Sequence, residues 1–381
     1  MLQRLAENFQ YAELLNSATK EKNQYKRLAY ITAFNLSSFA FNTFRTLKSF
    51  NPILGETFEY IDNDLGFRYF SEQVSHHPPI SACYVEGLNY DVYSNTHVDT
   101  KFSLFKGALF ITPNSKTYIN IKNLKESYTY TKPKLAVKGL IFGKMRIDCY
   151  GKFEVTNRTT NDIATVEFLE EGGKTKQGTI KGEIKNINGD VELLLDGNWQ
   201  SHFDIIYPKT DDQEEKRETI WRRMMDENCD DEKHFYFTRY VANLNNLSDE
   251  LRKVLPQTDC RFRQDQRALE DQDYDLAESE KKRLEVKQRE ARKLREKENK
   301  TYEAVYFKEV TDDISGDLLY MQSRDYWNDR KLGKFTLSND IFGKEKEVIN
   351  EENKEVIKED TKEDAKEDVN KDVNKEQTKD S

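Results

Sequence analysis

The sequence predicts an α+β protein: a helical start, a large antiparallel β-meander curled into a barrel, and a second, mostly helical part. Three observations carry this. In residues 1–43 apolar positions recur at helical spacing, as Leu2, Leu5, Phe9, Ala12 and Leu15, then as Tyr25, Leu28, Ala29, Thr32 and Leu36. From about Phe58 the period falls to two, and short runs follow at 67–74, 101–111, 117–121, 127–131, 145–155, 164–168, 179–184, 191–196 and 203–207. Turn residues usually separate them, as in Asn161-Asp162, Gly172-Gly173 and Asn188-Gly189-Asp190. Many short strands with little helix between them indicate a meander that closes on itself, and a barrel of this size can enclose a ligand.

After Pro208 the pattern changes. Residues 211–226 read as a charged helix with Ile220, Trp221 and Met224 on one side, and residues 235–240 as a last strand. Residues 244–255 form a helix that Pro256 stops. Residues 275–302 form a long charged helix, and 317–342 a mixed segment anchored by Tyr326-Trp327. Residues 344–381 hold nine Lys against fourteen acidic residues, repeat Lys-Glu-Asp and Val-Asn-Lys phrases, and contain no aromatic ring. Such a segment has no core to bury and is expected to be disordered.

Composition narrows the function. Mean hydropathy is −0.89 and 34% of residues are charged, yet 22 Phe and 20 Tyr remain to be buried. The charge is therefore concentrated in particular segments, and a net −5 of the chain's −9 lies in the last 38 residues. That balance gives no footprint for nucleic acid. No apolar run approaches the roughly 18 residues of a membrane span. Met1-Leu2-Gln3-Arg4-Leu5 begins an amphipathic pattern rather than a secretory signal. Cys83, Cys149, Cys229 and Cys260 are scattered, which fits a reducing cytoplasm better than a disulfide framework or a zinc site.

The motif with most content is Glu72-Gln73-Val74-Ser75-His76-His77-Pro78-Pro79, which holds two of the chain's five histidines. Neighbouring strand residues point to opposite faces, so both imidazoles can serve one ligand only if the strand ends there, as Pro78-Pro79 implies. A lone histidine would more often be a packed surface residue; a pair against Pro-Pro favours binding. No HExxH zinc motif and no GxSxG elbow accompanies it, so an enzyme is not expected. The stretch Lys48 to Glu56 contains Asn51-Pro52 and Leu54-Gly55, turn signals that by themselves say only that a helix connects to a barrel. Lys281, Glu285 and Arg289 stand at i, i+4 and i+8, a spacing common on any solvated helix.

Together these segments resemble the oxysterol-binding protein-related family of lipid carriers. The similarity rests on Leu54-Gly55-Glu56, on the Glu72–Pro79 phrase, and on Leu255-Pro256-Gln257-Thr258-Asp259 with Arg261, Arg263, Asp265 and Arg267. It continues through the basic helix at 281–293 to Tyr326-Trp327 and Asp340-Ile341-Phe342, and so covers residues 1–343. The resemblance implies one lipid-binding domain: a helical layer at 1–50, a half-open barrel with a lipid tunnel at 51–208, and a C-terminal subdomain at 209–343. It also implies a site. His76 and His77 would grip the inositol phosphate of phosphatidylinositol 4-phosphate. Lys48 would meet the other phosphate, with Asn51, Glu56, Lys281, Glu285 and Arg289 completing the headgroup set. Arg binds phosphate bidentately and Lys adds a mobile charge, so the chemistry is consistent. The implied activity is exchange of that lipid for a sterol or phosphatidylserine, without covalent chemistry or cofactor. The implied protein is a cytoplasmic monomer in peripheral contact with endoplasmic reticulum, Golgi and plasma membranes. Family domains carry a lid before the Met1 helix, and the present sequence begins after it, either as a truncated form or because it lacks the lid. The alternative expectation is therefore a phosphoinositide or sterol sensor or scaffold that moves little lipid.

Overall fold

The computed structural model describes residues 1–43, 45, 49–141, 143–209, 214–224, 234–335 and 340–343. The helical start is three helices, α1 (Leu2–Ala6), α2 (Glu13–Ala18) and α3 (Gln24–Ser37), with a 3-10 turn after α1. Asn23 caps α3 by accepting from the N–H groups of Tyr25 and Lys26, two of the donors a helix start leaves unpaired.

Fifteen antiparallel strands follow in one sheet. They are β1 (Thr57–Asp62), β2 (Phe67–His76), β3 (Pro79–Gly87), β4 (Tyr90–Thr96), β5 (Val98–Ser103), β6 (Ala108–Pro113), β7 (Lys116–Ile121), β8 (Glu126–Thr131), β9 (Lys134–Lys138), β10 (Arg146–Asn157), β11 (Ile163–Phe168), β12 (Thr179–Lys185), β13 (Val191–Asn198), β14 (His202–Tyr207) and β15 (Lys216–Arg222). The main path runs β1-β2-β3-β4-β7-β8-β10-β11-β12-β13-β14-β15, and the sheet does not close. The α+β, incomplete-barrel expectation holds.

The path leaves β5, β6 and β9 to a second layer of pairing. The β4–β7 ladder ends at Ser94–Thr117, and a neck follows in which Asn114 N–H donates to His97 O and Ser115 Oγ to Asn95 O. Beyond it the same two ribbons pair again as β5 and β6. Likewise β8 passes through Lys132-Pro133 into β9, which pairs β6 and the first half of β10. Only β10 crosses both levels unbroken. Its residues 146–150 pair β9 and 151–156 pair β11, with Gly151 at φ 75° between them, a conformation that favours glycine. The outer strands thus extend the sheet past Thr96, Lys116 and Thr131, the end at which β2 turns into β3.

The main core lies between the inner sheet face and α1–α3. Phe9 packs on Phe34, Phe67 and Tyr69 at 5.5–5.7 Å between ring centres. A narrow cavity remains there, lined by Leu5, Phe9, Phe34, Cys83, Tyr130 and Lys132. The outer face of β1–β3 is also covered. After α4 (Arg239–Leu244), α5 (Asp249–Val254), α6 (Gln264–Glu270) and α7 (Tyr274–Lys297), the chain makes the hairpin β16 (Phe307–Thr311) and β17 (Leu318–Gln322), then α8 (Tyr326–Leu332). Phe70 stacks on Tyr326 at 3.8 Å, and Glu72 accepts from the N–H groups of Val305 and Tyr306 at 2.8 and 2.9 Å. Odd residues of β2 face one core and even residues the other, which is why the strand reads as nearly continuously buried.

Four expectations fail. Residues 216–222 form edge strand β15, not a helix; Trp221 pairs opposite Phe203 and packs on Tyr11. Residues 235–240 are not a strand: Phe235 and Tyr236 have φ of 54° and 57°, and Thr238 caps α4. The helix expected over 244–255 is shorter: α4 ends at Leu244, and Ser248 starts α5 at Asp249 by capping Leu251 N–H. The run expected at 101–111 is a hairpin with its turn at 104–107. The tail at 344–381, expected to be disordered, lies outside the described residues.

Because Phe70 is fully buried between Tyr326, Tyr306 and Phe307, Phe70→Ala is expected to cost about 3–5 kcal/mol. Urea unfolding of the two proteins measures it, and a loss near zero would show that the outer layer is not part of the cooperative fold.

Candidate functional site

The histidine corner is the tip of the β2–β3 hairpin. His76 pairs opposite Pro79, His77 and Pro78 make the turn, and the peptide between them is cis. The prolines therefore reverse the strand rather than end it, and Pro79 occupies the first position of β3, where its missing N–H costs no ladder bond. The two imidazoles meet edge to face, 4.6 Å between centres. His77 is exposed and His76 half-buried.

Helix α7 closes over this corner. Gln288 accepts the N–H of Leu54 on its Oε1 at 2.9 Å and donates from Nε2 to His76 Nε2 at 2.7 Å. An accepting Nε2 leaves the proton of a neutral imidazole on Nδ1, and His76 Nδ1 is buried with no partner among the described residues. Burial first, then the neighbouring His77 and Arg292, pulls His76 down to about 4. The ring is neutral, a one-donor group whose Nδ1–H meets no acceptor among the described residues.

The turn before β1 packs against the same helix. Leu284 packs with Ile53 and Phe342, and the Lys281 ammonium stands 5.6 Å from the Phe50 ring. Arg283 and Lys287 donate to the carbonyls of Phe342 and Asp340, so the closing segment is fastened to α7 too. Behind the turn, Arg263 donates to Asn51 O at 2.8 Å, to Glu56 Oε2 at 2.9 Å, and through Nε and Nη2 to both oxygens of Asp265. Burial alone would lower the Arg263 pKa; the Glu56 and Asp265 carboxylates overcome that and raise it.

The structure brings most of the expected site into one neighbourhood, with different tasks visible. His76 at the hairpin tip and Leu54 of the Asn51 turn both bond Gln288 of α7, and Lys281 of the same helix stands over Phe50. Glu56 is fully buried and bound to Arg263 and Ile53 N–H, so it shapes the turn from behind. Glu285 is half-exposed and loosely paired to Lys281 at 3.8 Å, a contact good for a few tenths of a kcal/mol. Arg289 follows Gln288, about 100° further round the helix. Lys48 lies outside the described residues. Sequence reasoning missed Gln288 and Arg263. Gln288 is seven residues from Lys281 and so falls back on the same helix face. Arg263 stood in the quoted run, with nothing local to name its partners.

Comparison with known proteins agrees over nearly the whole chain. A family model described as oxysterol-binding protein matches residues 1–331. Oxysterol-binding protein homolog 1 of Saccharomyces cerevisiae is 34% identical over 375 residues, covering 90% of this chain and 30% of the relative. Human oxysterol-binding protein-related protein 1 is 32% identical, covering 86% and 38%. The chain thus spans about a third of these relatives. The crystal structure of the Osh1 ORD domain in complex with cholesterol is similar at a TM-score of 0.83 and 35% identity, covering 90% of this chain and 84% of that one. The structure of the Osh3 ORD from Saccharomyces cerevisiae in complex with PI(4)P is similar at 0.75 and 28%, covering 89% and 87%.

The state of His76 is directly measurable. Its carbon-bound ring protons, followed by NMR in the unliganded protein, are expected to titrate near 4; a midpoint near 6.5 would overturn the buried neutral ring. The unfolded chain binds this proton from about 6.5 downward. Its contribution to stability is therefore full above that pH and declines as pH falls toward 4.

Proposed function

The chain belongs to the oxysterol-binding protein family, and we propose on that premise that it takes phosphatidylinositol 4-phosphate by its headgroup and exchanges it between membranes for a sterol or phosphatidylserine. The observation that supports this most is the His76 corner: a buried Nδ1–H with no acceptor among the described residues, beside an exposed His77. A phosphate oxygen is the natural acceptor. It would also favour the imidazolium, so headgroup binding takes up a proton and tightens as pH falls toward the unliganded value near 4. Lys48, Asn51, Lys281, Glu285 and Arg289 are assigned to the remaining phosphate and hydroxyl groups, with Glu56 holding the turn. The acyl chains or sterol go to the interior between the sheet and α1–α3. The apolar cargo gains about 25 cal/mol per Å² there but leaves a bilayer of similar apolarity, so headgroup contacts choose the lipid.

No covalent step is involved, and no cofactor is assigned. Among the described residues no helix is long and apolar enough to cross a membrane, which suits the peripheral, monomeric, cytoplasmic carrier proposed. A sensor or scaffold is the second reading, favoured by the narrowness of the interior cavity. Vesicle-to-vesicle transfer separates the two, since only a carrier moves labelled lipid from donor to acceptor.

Two variants test the site. Wild type is expected to extract labelled phosphatidylinositol 4-phosphate from liposomes and His76→Ala/His77→Ala to lose this; equal extraction by both would remove the corner from the site. Arg289→Glu is expected to abolish phosphoinositide binding while leaving binding of a neutral sterol nearly intact. Equal loss of both ligands would make Arg289 a residue of the fold.

A further inference from the structure

The outer strands carry a surface that headgroup binding does not use. At the β5–β6 turn Phe105 is 99% exposed and Leu104 76%. The β9–β10 loop presents Leu140, Ile141 and Met145, each about 40% exposed. The two loops touch, with Ile141 lying over Gly107, so the apolar groups form one convex tip. Cations surround it. Residues 98–113 and 134–146 contain Lys101, Lys106, Lys134, Lys138, Lys144 and Arg146 against Asp99, in a chain of net charge −9; Lys138 and Arg146 pair with Asp148 of β10, so the charge around the tip rests mainly on Lys101, Lys106 and Lys134. Lys106 itself lies 5.6 Å from the Phe110 ring, at the base of the tip.

We propose that this tip is a membrane-docking surface for an anionic lipid bilayer, with Leu104 and Phe105 inserted among the acyl chains and the surrounding lysines on the lipid phosphates. Shape and charge favour this occupant. The tip is a projecting apex, not a groove, and a protein partner would need a matching hollow. A bilayer needs none: it offers anionic headgroups at its surface and apolar chains beneath, the order in which cation and ring are arranged here. The placement agrees. The outer strands leave the sheet at the end where β2 turns into β3, and six residues of β5 carry the tip about 20 Å further. A tip held in a bilayer therefore keeps the histidine corner at the same membrane. The inference gains its purpose from the lipid-carrier reading, but its physics is independent of phosphoinositide.

The test uses phosphatidylcholine vesicles containing phosphatidylserine and no phosphoinositide. The full chain is expected to co-sediment with them, to pellet less with pure phosphatidylcholine, and to be released by salt. Leu104→Asp/Phe105→Asp is expected to stay in the supernatant, and Lys101→Glu/Lys106→Glu to pellet only weakly. His76→Ala/His77→Ala should pellet like wild type, which separates this surface from the headgroup site. Absence of the wild type from the pellet, equal pelleting with pure phosphatidylcholine, or undiminished pelleting of the Leu104/Phe105 variant would each overturn the proposal. Retention of soluble inositol-phosphate binding by the tip variants checks that they are folded.

Discussion

One buried guanidinium ties the molecule together. Arg263 is 3% exposed and bonds at once to Glu56, to Asp265 and to the carbonyl of Asn51. It therefore joins the turn that enters the sheet to the segment that starts the C-terminal helices, more than 200 residues later. A buried charge is tolerated only when every face is answered, and loss of one partner leaves an uncompensated ion costing about 3–5 kcal/mol. The position of α7 follows from this clamp, since α6 and α7 grow out of the same run. Arg261 repeats the device two residues earlier, bonding to Asp259 and to the carbonyl of Glu59.

Much of this architecture is legible in the sequence, and the exceptions have physical causes. The change of period near Phe58 announces the sheet because alternate strand residues face a core. It fails where only one neighbour exists. Lys216, Arg217 and Glu218 lie on edge strand β15, and charge on an edge discourages pairing with other chains, so the segment has the polarity of a solvated helix. The aromatic run at 235–237 has strand-like composition, yet two of its residues adopt positive φ before the Thr238 cap. Caps at Thr238 and Ser248 are visible in the sequence, but strand-like composition and the apolar pattern outweighed them.

The site divides along a similar line. The histidine pair, the Asn-Pro turn and the basic helix were recognisable as segments, because rare residues cluster in each. Their joining was not, because it runs through Gln288, an ordinary residue for an exposed helix. That glutamine spends its acceptor on Leu54 and so has only a donor left for His76. The amide thereby fixes which imidazole nitrogen carries the proton, a decision about the corner made 212 residues away.

The hairpin tip bearing His76 and the outer strands bearing Phe105 stand at the same end of the sheet. On the docking and carrier readings proposed above, a molecule built this way addresses one bilayer at a time with that end. Delivery under that proposal takes release, rotation in solution and a second landing, so that the width of the gap between membranes becomes a matter of diffusion rather than of molecular length.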